Sequence, residues 1–210
     1  LSLSGHTHIQ YNEFYGADEG YTAGRLHHHL NQGTAAGSWW LGTPDERGIP
    51  HATMRDGTPN GWSMIEFDGR DYAVRFKAAR TPASSQMKIH APHAIAAGES
   101  GQTEVRVNGF GGSERSTVEM RVDSADAAGD WIRLVRGDLV DPDYEAVRER
   151  EAGRQPQPRF SLPAPDRSRH IWAGNLPAGL APGTRLIEVR TRDMYGREYS
   201  ARRLIRVSAE

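Results

Sequence analysis

The sequence contains no cysteine, which excludes disulfide bonds, thiolate metal sites and cysteine nucleophiles. Lysine is nearly absent as well, since Lys77 and Lys88 are the only lysines among 26 basic residues. The 27 acidic residues bring the formal net charge to −1. The charge balance therefore gives no sign of a positively charged surface for nucleic acid or an anionic membrane. No apolar stretch approaches the roughly 20 residues that span a bilayer.

The composition that is present is ordinary for a folded protein. The chain has 210 residues, enough for one large domain or two small ones. Hydrophobic residues make up 37% of the chain and charged residues 25%, which is typical of a globular protein. These values point to no particular function, so only local motifs can indicate one.

The first eight residues, L-S-L-S-G-H-T-H, combine a strand pattern with two closely spaced histidines. Leu1 and Leu3 alternate with serines, which predicts the end of a half-buried strand. On extended backbone His6 and His8 would point to one side and Thr7 to the other. Two neighbouring imidazoles can begin a metal site, but they do not complete a coordination shell. Spacing alone therefore leaves open whether these histidines bind metal.

Four short motifs together carry a resemblance to a known family. Residues 4–8, S-G-H-T-H, resemble G-H-x-H, the last metal motif of the calcineurin-like metallophosphoesterases. Residues 37–42 (G-S-W-W-L-G), 56–61 (D-G-T-P-N-G) and 168–172 (S-R-H-I-W) resemble, in the same order, bacterial members that carry an extra C-terminal β-domain. The family's other motifs, D-x-H, G-D-x-x-D and G-N-H-[DE], come before G-H-x-H, and none stands before it here. The chain is therefore expected to be the C-terminal portion of a longer enzyme.

The resemblance implies a site with two divalent metals about 3.5–4 Å apart, drawn from Mn, Fe, Zn or Ni. His6 and His8 would each ligate one metal, and water activated by the metals would attack phosphorus. The bridging carboxylate, the Asn ligand and the general-acid histidine would lie upstream. This chain would then hold no catalytic residue of its own and would be inactive alone.

The same resemblance implies partners and leaves much unspecified. The substrate would be a phosphorylated small molecule or a phosphodiester, and monoester, diester and pyrophosphate bonds all stay open. The N-terminal part of the same protein would be the main macromolecular partner. A periplasmic or secreted location fits the parent enzyme, but the sequence does not fix it.

A second histidine tract occupies residues 27–29, between Leu26 and Leu30. On a strand His27 and His29 share one face and His28 takes the other. We expect His27 and His29 to line the cleft near the metals as hydrogen-bond donors to phosphate, with ordinary polar packing as the alternative. Residues 9–24, rich in aromatics and glycine, are predicted to form a loop whose rings either stack on a ligand or pack together.

The next segments predict strands and turns. Small residues ahead of Trp39 and Trp40 predict a strand over residues 33–42 with the two indoles on opposite faces. Residues 43–61 are rich in turn-forming residues. Alternating residues over 61–68 and 71–79 predict a hairpin with Asp68-Gly69 at its turn.

A short polar linker at residues 80–85 predicts a boundary between a domain at 1–80 and another at 81–210. The second half carries several short alternating strands, one of them predicted over residues 131–136, which indicates an immunoglobulin-like β-sandwich.

Asp141 as N-cap, Pro142 and a final Gly153 predict one solvated helical insertion, and residues 155–166 an extended loop. The expected class is mainly β: the end of a calcineurin-like phosphoesterase sandwich followed by an immunoglobulin-like sandwich. The competing interpretation is a non-catalytic module that caps the enzyme or binds a carbohydrate or another partner.

Overall fold

A computed structural model describes residues 1–44, 47–123, 129–154 and 161–209. The chain begins with a three-stranded sheet of β1 (Ser2–Ser4), β2 (Tyr11–Tyr15) and β3 (His27–Asn31). β3 is central, pairing in parallel with β1 and antiparallel with β2. The predicted first strand is confirmed as a strand, but Leu3 on it is 55% exposed, so its leucines do not form a buried face. The loop predicted over residues 9–24 is wrong in its first part, because five of those residues pair along the whole length of β3.

The two faces of this sheet differ as alternation requires. His28 and Leu30 on β3 are buried, and Asn12 is the matching buried residue on β2. His27 and His29 are half-buried on the opposite face, across from Tyr15 and Glu13. The predicted split of the three histidines between two faces is therefore confirmed.

A hairpin of β4 (Gly61–Asp68) and β5 (Asp71–Ala78) forms its own two-stranded sheet. Its register joins Gly61 to Ala78 and Asp68 to Asp71, which confirms the predicted hairpin and its turn. Phe76 and Ala78 form a small buried cluster with Phe110, so the inner face of the hairpin packs on the second half of the chain.

The segment from residue 33 to 42 is a run of turns rather than the predicted strand. Trp39 and Trp40 have φ of 56° and 57°, in the left-handed region, and both are exposed. Gly37 explains the departure, because a Cβ there would lie 1.3 Å from the carbonyl oxygen of Ala52. That approach bends the chain sharply just ahead of the tryptophans.

The second half of the chain contains two larger sheets. One has five strands in the order β10-β9-β13-β14-β7, and the other has four in the order β11-β12-β8-β6. All pairs are antiparallel except β14 with β7. The strands are β6 (Met87–His90), β7 (Ala94–Ala96), β8 (Glu104–Gly109), β9 (Thr117–Asp123), β10 (Ile132–Arg133), β11 (Val135–Val140), β12 (Arg167–Asn175), β13 (Gly183–Arg192) and β14 (Glu198–Ser208).

The main apolar core contains residues of both sheets. Val105 and Val107 of β8 are fully buried with Met120 of β9 and Ile187 and Val189 of β13. Alternating side chains thus fill the space between two layers, as the sequence predicts. The strand predicted over residues 131–136 is instead two strands, because Leu134 turns inward and the chain passes from one sheet to the other.

The helix α1 (Pro142–Ala152) begins and ends where the sequence predicts. The Asp141 side chain accepts hydrogen bonds from the backbone N–H groups of Asp143 and Tyr144, at 3.0 and 2.9 Å. The helix is less solvated than expected, since Tyr144 is 1% and Glu151 7% exposed. Residues 155–160 of the predicted extended loop lie outside the described residues, and 161–166 have no regular structure.

Buried polar contacts connect the chain on either side of the predicted boundary at residue 80. His170, on β12, lies with Nε2 3.0 Å from Thr58 Oγ1 and 3.3 Å from Asp56 Oδ2. The backbone N–H of Gln10 donates to the same Asp56 carboxylate at 2.6 Å. On the other side of the ring, His170 Nδ1 contacts Asn108 Oδ1 at 2.9 Å. These contacts tie the first strands and the turn at residues 56–58 to the sandwich.

Candidate metal-binding turn

His6 and His8 lie in a tight turn that follows β1, with φ of 78° and 56°. The prediction that extended backbone places both rings on one side is therefore wrong, because both residues are left-handed. Such a conformation costs on the order of 1–3 kcal/mol for a residue with a side chain and clusters at functional sites. Among the described residues, the non-glycine positions with positive φ are these two and Trp39 and Trp40.

Asn31, at the end of β3, holds the histidine turn in place. Its side chain is 1% exposed, and its Nδ2 donates to Thr7 Oγ1 and to the Ile9 carbonyl, each at 2.7 Å. Its Oδ1 accepts from Ser4 Oγ at 2.7 Å. One buried amide thus bonds residues on both sides of His8. The Thr7 hydroxyl accepts this bond from Asn31, so the Thr7 side chain stabilises the turn.

The His8 ring is fixed by two contacts from a distant turn. Its Nδ1 donates to the carbonyl oxygen of Gly37 at 2.5 Å. A carbonyl can only accept, so in the neutral ring Nδ1 carries the proton and Nε2 keeps its lone pair. Trp39 stacks on the ring with centroids 3.7 Å apart and planes 18° apart. A ring nitrogen bonded to a carbonyl, with the other nitrogen unprotonated, is the usual state of a histidine that ligates a metal.

His6 is exposed and lies two residues from His8. Within the described ranges, no group of three or more His, Asp or Glu side chains is placed to hold a metal ion. The described residues therefore offer histidine nitrogens toward a metal without a complete ligand shell.

The outward face of β3 joins the strand that leads into the turn. His29 contacts Ser2 Oγ through Nδ1 at 2.8 Å and Ser4 Oγ through Nε2 at 3.0 Å. His27 Nε2 contacts the Ser2 hydroxyl at 2.8 Å, and its ring lies against Tyr15 and Tyr21. Both nitrogens of His29 thus have serine partners. The expected role of His27 and His29 toward phosphate stays a prediction.

His28 lies on the inner face in a closed polar and aromatic setting. Its Nε2 donates to Asn12 Oδ1 at 2.9 Å, its Nδ1 accepts from Tyr72 Oη at 2.8 Å, and Phe14 stacks on it at 4.7 Å. Burial, followed by nearby positive charge that includes Arg115, lowers the pKa of His28 to about 4. His28 is therefore a neutral packing residue at ordinary pH.

Residues 137–141 spell G-D-x-x-D, the letters of one family metal motif, but they come long after the histidines. Asp138 is exposed on β11, and Asp141 is buried as the N-cap of α1. This pair ends a strand and begins a helix. It is separate from the histidine turn in the fold.

Sequence reasoning missed Asn31, Gly37 and Trp39 as parts of the site. Asn31 directly follows the histidines and Leu30 on β3, and the G-S-W-W string predicts a strand by its pattern. The only local signal for the turn was Gly37, whose role depends on Ala52 fifteen residues later. The described chain also contains no helix long and apolar enough to cross a membrane.

Comparison with known proteins supports the family suggested by the motifs. The family described as the C terminal of calcineurin-like phosphoesterase matches residues 29–199, a span that includes Asn31, Gly37 and Trp39 but begins after His6 and His8. No curated protein matches the chain.

Among solved structures, the chain is similar to CopC from Methylosinus trichosporium OB3b, at 15% identity and a TM-score of 0.32, covering 58% of this chain and 89% of that chain. A similarity of this size supports no statement about fold or function. The family match, in contrast, spans most of the sequence. The chain therefore belongs to the family of C-terminal regions of calcineurin-like phosphoesterases.

Proposed function

We propose that this chain is the C-terminal portion of a two-metal phosphohydrolase and that His6 and His8 supply metal ligands to it. The observation that carries the proposal is the His8 ring, whose Nδ1–H bonds to the Gly37 carbonyl and so leaves Nε2 as the ligating nitrogen of the neutral ring. The family match supports the reaction class, since the parent family is metal-dependent. The remaining ligands would come from the preceding part of the same protein.

The described residues would act as follows. Bound divalent metals would activate water and neutralise charge on a phosphate group. His8 would present Nε2 and His6 a ring nitrogen, both carried on strained backbone that Asn31 holds. His27 would be the stronger candidate to reach phosphate, because His29 has hydroxyl partners on both nitrogens.

We infer that the two-sheet unit after residue 80 is an immunoglobulin-like sandwich with a supporting role. The nine strands in the described part of this unit, arranged in two mostly antiparallel sheets, support this class. In the described part of this unit the exposed large apolar side chains are Val135 and Leu204. A groove for sugars would call for exposed aromatic rings. The two exposed side chains are aliphatic, so they favour structural support over carbohydrate or partner binding.

The test is a crystal structure of the full-length enzyme with zinc, located by anomalous scattering. We expect His8 Nε2 at about 2.0–2.1 Å from one metal, with Nδ1 still bonded to Gly37. Metal bound elsewhere, with both histidine rings free of it, would refute the proposal. Coordination through His8 Nδ1 would refute the inference drawn from the ring contacts.

A further inference from the structure

Helix α1 of the sandwich reaches the turn that contacts His8. Tyr144, in the first turn of the helix, is 1% exposed, and its hydroxyl lies 3.3 Å from Ser38 Oγ. The same hydroxyl also lies 3.1 Å from the Pro163 carbonyl oxygen, so its single proton is shared between that oxygen and Ser38 Oγ. Ser38 is also 1% exposed, and its hydroxyl donates to the Thr53 carbonyl at 2.7 Å. The buried Tyr144 and Ser38 hydroxyls therefore connect the helix to the turn at residues 37–39.

Ser38 stands between the two residues that touch the His8 ring. Gly37 supplies the carbonyl that binds Nδ1, and its close approach to Ala52 excludes any side chain there. Trp39 supplies the stacking ring from a left-handed backbone that the sequence does not favour locally. The turn therefore needs outside support to keep this shape, and Ser38 is where the support attaches.

We propose that α1 and residues 37–39 form a positioning unit for His8, which rests on the proposed role of His8 as a metal ligand. Tyr144 and Ser38 hold the turn, Gly37 selects the tautomer, and Trp39 sets the plane of the ring. These are positioning residues that act through His8. The helical insertion thereby gives the C-terminal domain a specific part in building the metal site.

The geometry can be tested on this chain without metal, by long-range proton–nitrogen NMR of the histidine rings at pH 8 in the presence of a chelator. We expect His8 as the Nδ1–H tautomer, with its ring protons shifted upfield by the Trp39 ring. Trp39→Leu should abolish the upfield shift, and Trp39→Phe should restore part of it. Trp62→Leu, at an exposed tryptophan on the hairpin, is the matched control and should leave His8 unchanged.

Two variants test the support from the helix. Tyr144→Phe keeps the buried ring and removes only the hydroxyl, and Ser38→Ala removes the link. Both should convert the single His8 tautomer into a mixture while the remaining amide spectrum stays dispersed. An unchanged His8 tautomer in both variants, or an Nε2–H tautomer in the wild type, would overturn the positioning unit.

Zinc affinity of the full-length enzyme, measured by competition with a chelator, separates this inference from the proposed function. Loss of partners that orient a ligand lowers metal affinity by about 10–100-fold, so Trp39→Leu should fall in that range. Weaker zinc binding by His8→Ala with unchanged binding by Trp39→Leu would overturn the positioning role and leave the proposed function standing. Unchanged binding by His8→Ala would overturn the proposed function itself.

Discussion

His8 donates its Nδ1–H to the carbonyl oxygen of Gly37 at 2.5 Å, across 29 residues of sequence. The bond joins the turn after the first strand to a second turn whose local signal is a single glycine, Gly37. It decides which nitrogen of His8 faces outward, and the Trp39 stack decides in which plane. The chemistry proposed for this chain depends on both contacts.

Asn31→Ala should destabilise the protein by about 1–3 kcal/mol, because a buried amide with three hydrogen bonds is lost. Urea unfolding followed by circular dichroism measures this difference. Asn175→Ala is the matched control, since that amide is exposed and makes one bond, to the Gly101 carbonyl. Equal stability losses in the two variants would show that the hydrogen bonds of Asn31 do not hold the histidine turn in place.

His28 should make the protein less stable as the pH falls from about 6.5 toward 4. The folded state holds the pKa of His28 at about 4, below the ordinary value of 6.5. In that window the unfolded chain binds a proton that the folded chain does not, so protonation favours unfolding. His28→Gln should flatten the slope of stability against pH between these values. The same slope in the variant and the wild type would contradict this account.

His90 should act in the opposite direction. Burial alone would lower its pKa, but the Asp141 and Asp143 carboxylates beside it, with Asp141 Oδ2 3.0 Å from Nε2, raise the pKa above the ordinary value. The stabilisation is then fully present below pH 6.5 and is lost as pH rises through the higher folded-state pKa. Melting temperatures above pH 6.5 should fall with pH in the wild type and fall less in His90→Gln. A steeper fall in the variant would argue against the ion pair.

The predicted boundary at residue 80 can be tested by expressing the two pieces. Residues 81–210 should melt cooperatively, because both faces of their core come from their own strands. They should be less stable than the whole chain, because His170 loses Asp56 and Thr58. Residues 1–80 should not melt cooperatively, since a three-stranded sheet and a hairpin leave strand edges unpaired. A cooperative melt from residues 1–80 would place the boundary elsewhere.

Alternation and capping predicted the regular parts of the fold. Val118, Met120 and Val122 face the core as their spacing requires, and Asp141 caps the helix that it was expected to cap. These features are encoded within a few residues. The hairpin at residues 61–78 and the opposite faces of His27 and His28 follow from the same period.

The sequence named the two candidate ligands but neither the residues that surround them nor the geometry of their turn. G-H-T-H named His6 and His8, yet their left-handed backbone depends on Asn31 and on Gly37, both far away in sequence. The buried side of α1 was missed for the same reason, because Ser38 lies 106 residues before Tyr144. Short-range patterns cannot encode such contacts, so the turns appear only in the folded chain.

The most direct test of the central claim is metal content and kcat of the full-length enzyme with His6→Ala or His8→Ala, compared with Thr7→Ala. Each histidine variant removes one ligand nitrogen and should lower metal occupancy and turnover by orders of magnitude. Thr7→Ala loses only a bond from Asn31 and should be far milder. Full metal occupancy and full turnover in both histidine variants would mean that the G-H-T-H turn is not part of a metal site.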